Sequence, residues 1–432
     1  MKKAAAFVLL AVCHAAAQEA MSMADAVRLA LSRNKSLEAA SAATGAAKAR
    51  IDEARAGLMP RVSYSESWTR SDNPVFVFGS LLSQHQFTEG DFQLGPLNRP
   101  DFLNNFRSLV SADQVLYNGG RTSRAIHSAE LGRELSAEDA RRAQMDVIAA
   151  VIRAYYDAVV TGEQAAATAQ ALQSAQADLD RAQSLRDAGM ATDADVLSIR
   201  VHLADVREQQ IRRQADAEVA RAALNDALGL PLDTPHQLTT PLAAAAQPDQ
   251  ASSGRETTAI EQRPEARQAK LMTSLAETQA ADARSKLLPE VSIHGAFEAD
   301  RQRFYDRGGA NWLVSAGLEW NLFNGFADKA RIEETRASVT RSAADAARAD
   351  SAIRLEVRRA AAGLQAASER IEVSRASVAE AEESLRITQN RYEAGLANVT
   401  DLLRTETALL EARIRSLAAV RDQRIAAAVL EL

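Results

Sequence analysis

Cysteine is nearly missing from this chain: of 432 residues only Cys13 carries a thiol. An internal disulfide is therefore excluded, and loss of the N-terminal segment would leave no thiol for a metal or a nucleophile. Long apolar runs are equally scarce. Past residue 17 no stretch approaches the ~20 apolar residues of a membrane helix, which excludes an inner-membrane protein of the usual helical kind. Past the N-terminal segment the histidines His85, His127, His202, His236 and His294 lack metal-ligand spacing, and no glycine-rich phosphate loop follows a strand, so no catalytic group, metal or cofactor is expected. Each histidine reads as a solvated or packed residue. A net charge of −6 with basic and acidic residues interleaved gives no basis for nucleic-acid binding. Proline is absent from Asp101 to Leu230 and from Glu290 to the C-terminus, where Ala, Arg, Glu, Gln and Leu favour long helices.

What is present begins with an address. Lys2-Lys3, the apolar run Ala4 to Val12, and Ala15-Ala16-Ala17 have the order of an export signal spanning 1–17. A lipoprotein reading at Cys13 is the alternative, with bulky Val12 standing where a small residue is expected. An exported chain without a helical anchor belongs to the periplasm, the outer membrane or the medium.

The remainder is built twice to one plan. Leu58-Met59-Pro60-Arg61-Val62-Ser63 recurs as Leu287-Leu288-Pro289-Glu290-Val291-Ser292, and Asn118-Gly119-Gly120 as Asn324-Gly325-Phe326. Ala188-Gly189-Met190-Ala191 with Asp195-Val196-Leu197 recurs as Ala394-Gly395-Leu396-Ala397 with Asp401-Leu402-Leu403. The interval from Asn118 to Asp195 equals that from Asn324 to Asp401, 77 positions, so helix length is constrained. A period of 206 residues is a duplicated module, not a solenoid. The expected organisation is a first repeat at 18–230, a Pro/Ala/Ser/Thr-rich irregular linker at 231–262, and a second repeat at 263–432.

Helices are expected at about 22–57, 121–188, 193–229, 265–287, 326–394 and 399–430. In the fifth, Ile353, Val357, Ala360, Leu364, Ala367, Ile371, Ser374, Val378, Ala381, Leu385, Thr388 and Tyr392 alternate spacings of four and three, a heptad seam. Its counterpart runs from Val147 through Val151, Ala154, Ala158, Thr161, Ala165, Thr168, Leu172 and Ala175 to Leu179. A helix of this length would be a rod of roughly 100 Å, turned back at Gly189 or Gly395 into a second helix.

Period-two alternation interrupts the helices. Trp312, Val314, Ala316, Leu318, Trp320 and Leu322 alternate with more polar residues, and Val291, Ile293 and Phe297 do so over about 289–300. Weaker strands are expected at about 60–70 and 108–118, where Glu66 and Gln114 spoil the apolar face. Alternation with an aromatic rim is the pattern of outer-membrane barrel strands. Four strands cannot close a barrel and open edges are not tolerated in lipid, so several copies must share one. The connection from Ser71 to Arg107 is long and phenylalanine-rich; that from Arg301 to Asn311 is short.

The leucine-x-proline lead into a strand, the asparagine-glycine exit from the next, and the glycine turn followed by an acid together resemble the TolC-type outer-membrane efflux proteins. The resemblance covers about 25–432. It implies a mainly α fold with β: duplicated long coiled-coil hairpins forming a periplasmic α-barrel, plus four strands per chain in a homotrimeric twelve-stranded barrel within outer-membrane lipid. It implies a passive exit duct of a tripartite efflux or type I secretion system in a Gram-negative bacterium. The duct docks a periplasmic adaptor (membrane fusion) protein and an inner-membrane transporter of the RND, ABC or MFS kind. By the same resemblance, Ala188, Gly189, Met190, Ala394, Gly395 and Leu396 are adaptor-docking tips, and Asp195 and Asp401 narrow the periplasmic end. Arg404 stands where family members carry a second acid, and Ser198 is its repeat equivalent. The residues by themselves also read more plainly: glycine permits positive φ in a tight turn, and Thr192-x-x-Asp195 and Asn398-x-x-Asp401 are helix caps.

Two further readings compete with the duct. A periplasmic coiled-coil adaptor ordinarily has one hairpin, against two here, and a structural coiled coil would have no period-two segments with aromatic rims.

Overall fold

The computed structural model describes residues 19–245 and 252–431; the expected export signal lies outside the described residues. In chain order the elements are β1 (Glu19–Met21), α1 (Met23–Arg33), α2 (Lys35–Arg55), β2 (Arg61–Ser71), α3 (Pro74–Ser83), α4 (Leu94–Asn98), β3 (Leu103–Tyr117), α5 (Arg121–Asp187) and α6 (Asp193–Leu228). There follow β4 (His236–Leu238), α7 (Ser252–Gln262), α8 (Pro264–Ser285), β5 (Glu290–Arg301), β6 (Gly309–Glu319), α9 (Ala327–Glu393) and α10 (Val399–Glu431). The chain forms two compact units: one takes the described residues up to Ser41, Ala140–Arg263 and those from Ser351 onward, the other Ala42–Asp139 and Pro264–Asp350.

The first unit is helical, and its packing follows the heptad seams. Ile353, Val357, Leu364, Ala367 and Ile371 are buried, and the rest of that seam through Tyr392 is half-buried. On α5 the seam residues Val147, Val151, Ala158, Thr168, Ala175 and Leu179 are buried. The two matched helices have 67 residues each, as the equal landmark spacing requires. Tyr155, fully buried, joins three chain segments: its hydroxyl donates to the Met21 carbonyl at 2.9 Å and accepts from Thr240 N at 3.0 Å. Around it pack Met21, Ala26, Ala30, Val151, Leu224 and Leu228.

Three features here depart from the expected elements. The single helix expected over 22–57 is two, because Asn34 takes an extended conformation at φ −65°, ψ 127° and donates its amide to the Ala227 carbonyl at 2.9 Å. Residues 19–21 and 236–238 pair as a two-stranded parallel sheet that no periodicity announces, being three residues long each. The segment expected to be irregular contains β4 and α7. Helix α7 is held by Glu256, whose Oε1 accepts from Arg358 Nε at 2.7 Å, and the preceding chain by Gln423, which exchanges two hydrogen bonds with the Ala245 backbone.

The second unit contains an antiparallel sheet of order β2-β3-β5-β6. Its strands of 11, 15, 12 and 11 residues meet the ~9–11 residues that a tilted strand needs to cross a bilayer. Register puts Trp68 opposite Phe106, Tyr64 opposite Val110, Val110 opposite Phe297, and Phe297 opposite Trp312. One face is therefore largely apolar and the other carries Ser63, Ser65, Ser67, Ser111, His294 and Ser315. The apolar face is exposed, with Trp312 at 78% and Val62 at 65%. Glu66 spoils the pattern in sequence but not in space: it accepts from Tyr64 and Ser108 and pairs with Arg301 at 3.2 Å. Strand β3 starts earlier than expected and β6 stops before Trp320, whose indole instead donates to the Leu287 carbonyl at 3.0 Å. Within the long connection, α3 crosses the polar face, where Gln84 donates to Asn105 at 2.9 Å and Asn105 to Asp300 at 2.6 Å. Among the described residues no helix is long and apolar enough to cross a membrane.

Candidate functional site at the hairpin turns

The two hairpin turns have the same backbone. After α5, Met190 N donates to the Leu185 carbonyl and Gly189 N to that of Arg186, both at 2.8 Å; after α9, Leu396 N donates to Arg391 at 2.7 Å and Gly395 N to Tyr392 at 3.0 Å. This nested pair of bonds closes a helix end by placing one residue in the left-handed region. Gly189 and Gly395 supply it at φ 76° and 70°. A Cβ at either would meet nothing within 4 Å, so the requirement for glycine is conformational and the surroundings are open. Met190 and Leu396, next in line, are 72% and 69% exposed.

Immediately beyond lie the acids. Thr192 caps α6: its hydroxyl accepts from Asp195 N at 3.2 Å, while Asp195 Oδ2 accepts from Thr192 N at 3.0 Å and Oγ1 at 2.7 Å. At α10, Asn398 Oδ1 accepts from Asp401 N at 2.8 Å. Asp401 Oδ1 stands 3.9 Å from exposed Arg404 one turn along. Arg404 thus faces its own helix's acid, and Ser198 donates to the Ala194 carbonyl at 2.9 Å.

Behind the turns a small core joins the hairpins: Leu179, Ala182, Val196, Ile199 and Val399, with Tyr392, Leu203 and Leu403 against it. Arg181 of α5 also pairs with Glu393 of α9. Burial, and then the charges of Asp195 and Asp178, push the Tyr392 hydroxyl above its ordinary range. Next to this core three titratable side chains converge which the sequence reading did not join: Asp178 of α5, His202 of α6 and Glu406 of α10. His202 Nε2 lies 3.2 Å from Glu406 Oε2, with 13% and 11% of the two side chains exposed. Asp178 is 4% exposed. Its placement one residue before the seam position Leu179 was the available signal. Of the two readings given to the histidines, solvated or packed, His202 takes the second. Among the described residues no three His, Cys, Asp or Glu are arranged to hold a metal ion.

Long helices turned back at open tips, and a sheet with an exposed apolar face and strands long enough to cross a bilayer, are the parts of an outer-membrane export channel. The comparisons agree: the outer membrane efflux protein profile matches residues 26–230 and 257–432, and the chain belongs to that family. Protein CyaE of Bordetella pertussis is 33% identical over 320 residues, covering 73% of this chain and 67% of that one. The probable efflux pump outer membrane protein TtgC of Pseudomonas putida is 24% identical over 72% of this chain, which spans 61% of that relative's length. Among solved structures, the Campylobacter jejuni CmeC outer membrane channel superposes with a TM-score of 0.80 at 16% identity, covering 94% of this chain and 84% of that one. A membrane protein from Pseudomonas aeruginosa gives 0.78 at 22% identity, covering 94% and 92%. The chain is an outer-membrane exit duct for efflux or secretion.

Proposed function

We propose that three copies of this chain close one twelve-stranded barrel and act as a passive conduit that performs no chemistry of its own. The observation that carries this reading is the sheet: β2 and β6 are its two edges and neither has a second partner in the sheet, while the face they share is apolar and exposed. Unpaired strand edges in hydrocarbon cost several kcal/mol per group, so the edges must meet those of neighbouring copies. Two copies would give eight strands, a barrel whose interior side chains fill. Three copies leave a lumen, lined by the serine-rich face.

At the hairpin turns, Met190 and Leu396 are exposed apolar side chains, and this supports docking of a periplasmic adaptor that links the duct to an inner-membrane transporter. The first-turn acids Asp195 and Asp401 with Arg404 are the proposed gate. Cargo selection belongs to the transporter in this reading. Native mass spectrometry of the detergent-extracted protein tests the assembly. A heat-sensitive trimer recovered only from outer membranes is expected, and a soluble periplasmic monomer would overturn it.

A further inference from the structure

The strongest unexplained feature of the helical unit is the buried meeting of Asp178, His202 and Glu406. Each comes from a different helix, α5, α6 and α10, so the cluster spans both hairpins. Two carboxyl groups facing each other in a site with little solvent cannot both ionise without repulsion, and the pair retains a proton more strongly than either acid alone. Burial, then the hydrogen bond with Glu406 and its charge, push Asp178 up to about 7. Glu406 behaves oppositely. Burial would raise it, but hydrogen bonds from His202 and Asp178, with the His202 charge, hold it below the usual carboxylate range. Asp178 is therefore the group that keeps the proton, and Glu406, whose buried Oε2 has no hydrogen-bond partner as the side chains stand, is the acceptor.

The arginines facing the cluster are already engaged. Arg181 on α5 pairs with Glu393 of α9, Arg413 of α10 pairs with Glu382 of α9 at 2.8 Å, and the Tyr392 hydroxyl of α9 is pushed up by burial and by the charges of Asp195 and Asp178. Asp205 of α6 faces the same space. Beside the cluster is a cavity of about 300 Å³, bordered by His202, Glu406, Asp205, Gln170 and Arg413. A carboxylate freed from the pair has room there to be hydrated.

We propose that Asp178, His202 and Glu406 form a proton-operated clasp tying the α5–α6 hairpin to α10. With the proton in place Asp178 donates to Glu406, which also faces His202, and the three helices are drawn together. Once Asp178 ionises, two carboxylates oppose each other and the helices separate locally toward the cavity. The clasp closes in mild acid and loosens as pH rises through neutrality.

Hydrogen exchange of the full-length protein in detergent, at pH 5.5 and 8.0 and normalised to intrinsic rates, tests this without reference to conductance or adaptor docking. Amides of α6 at 196–206 and of α10 at 402–410 are expected to lose protection roughly tenfold or more at the higher pH, one pKa unit being worth a factor of ten. Asp178→Asn, neutral at both pH values, should abolish that difference. Asp180→Asn, an exposed acid on the same helix, should retain it. Should Asp178→Asn not assemble, Glu406→Gln replaces it and must flatten the same difference. Protection independent of pH in the unaltered protein, or a difference surviving in Asp178→Asn or Glu406→Gln, overturns the clasp and leaves a static buried cluster.

Discussion

Asp195 and Asp401 occupy equivalent first turns of α6 and α10, yet their carboxylates are held differently: Asp195 accepts two hydrogen bonds from Thr192, whereas Asp401 stands 3.9 Å from the Arg404 guanidinium. The duplication preserved the position and changed the use. A carboxylate committed to a capping box is spent on helix stability; one facing an exposed arginine remains an electrostatic feature of the surface.

That difference separates two variants. Thr192→Ala should cost about 0.5–2 kcal/mol of helix stability through loss of the cap. Asp401→Ala should instead change single-channel conductance and divalent-cation block, since in the proposed trimer three copies around one axis would form an acidic ring. Planar-bilayer recording of Asp401→Ala with unchanged conductance and block would remove the gate in favour of the cap.

Arg404→Ala follows from the same geometry. Its acid partner is Asp401 on its own helix, and an exposed pair of this spacing is worth only about 0.2–0.5 kcal/mol. The variant should therefore leave stability nearly untouched and strengthen cation block by unmasking Asp401. Equal block in the variant and the unaltered channel would contradict this.

At the turns, Gly189→Val and Gly395→Val should impair export while the protein still inserts, because a β-branched residue resists the left-handed backbone there. Asparagine tolerates that region, and open surroundings leave space for it, so Gly395→Asn should keep activity. Export and outer-membrane recovery measured side by side decide the point. Loss of insertion in the valine variants would place the defect in folding instead.

Much of this fold was legible because long-range order is written in periodicities. The heptad seams identified α5 and α9 and most of what α9 buries, though not Tyr155 and much else that α5 buries, and period-two alternation identified four strands. What escaped was fixed by tertiary contacts. Asn34 breaks a helix because Ala227, distant in sequence, offers a carbonyl. The three-residue strands β1 and β4 pair across the chain without any repeat to reveal them. The tips were legible from their duplicated glycines. Of the Asp178, His202 and Glu406 cluster only Asp178, one residue before the seam position Leu179, left a trace, since three single residues on three helices share no common spacing.

Tyr155→Phe probes the β1 junction. The hydroxyl serves both the Met21 carbonyl and the Thr240 amide; its removal leaves the Thr240 amide without that partner, while the Met21 carbonyl keeps the Thr239 amide at 3.1 Å. A loss of about 1–3 kcal/mol is expected, read as a lower melting temperature with unchanged helix content. A shift indistinguishable from zero would mean that water replaces the hydroxyl.

The last prediction concerns pH and stability. Asp178 has a folded-state pKa raised from 3.8 to about 7, so its favourable contribution is complete below pH 3.8, declines as pH rises, and is gone above about 7. Glu406, held below 4.5 by its partners, has the opposite sign: its contribution is present above 4.5 and lost as pH falls through its lowered value. Replacing Asp178 with asparagine removes only the first of these. The variant should melt higher than the unaltered protein at pH 8.0, where the native carboxylate is ionised and buried, by an amount on the order of a few kcal/mol at most. At pH 4.0, where Asp178 keeps its proton, the advantage should vanish or reverse, because asparagine then replaces a carboxylic acid that already donates to Glu406. Melting curves of both proteins at the two pH values decide the sign. A constant difference at both would mean that Asp178 acts through packing and not through its proton.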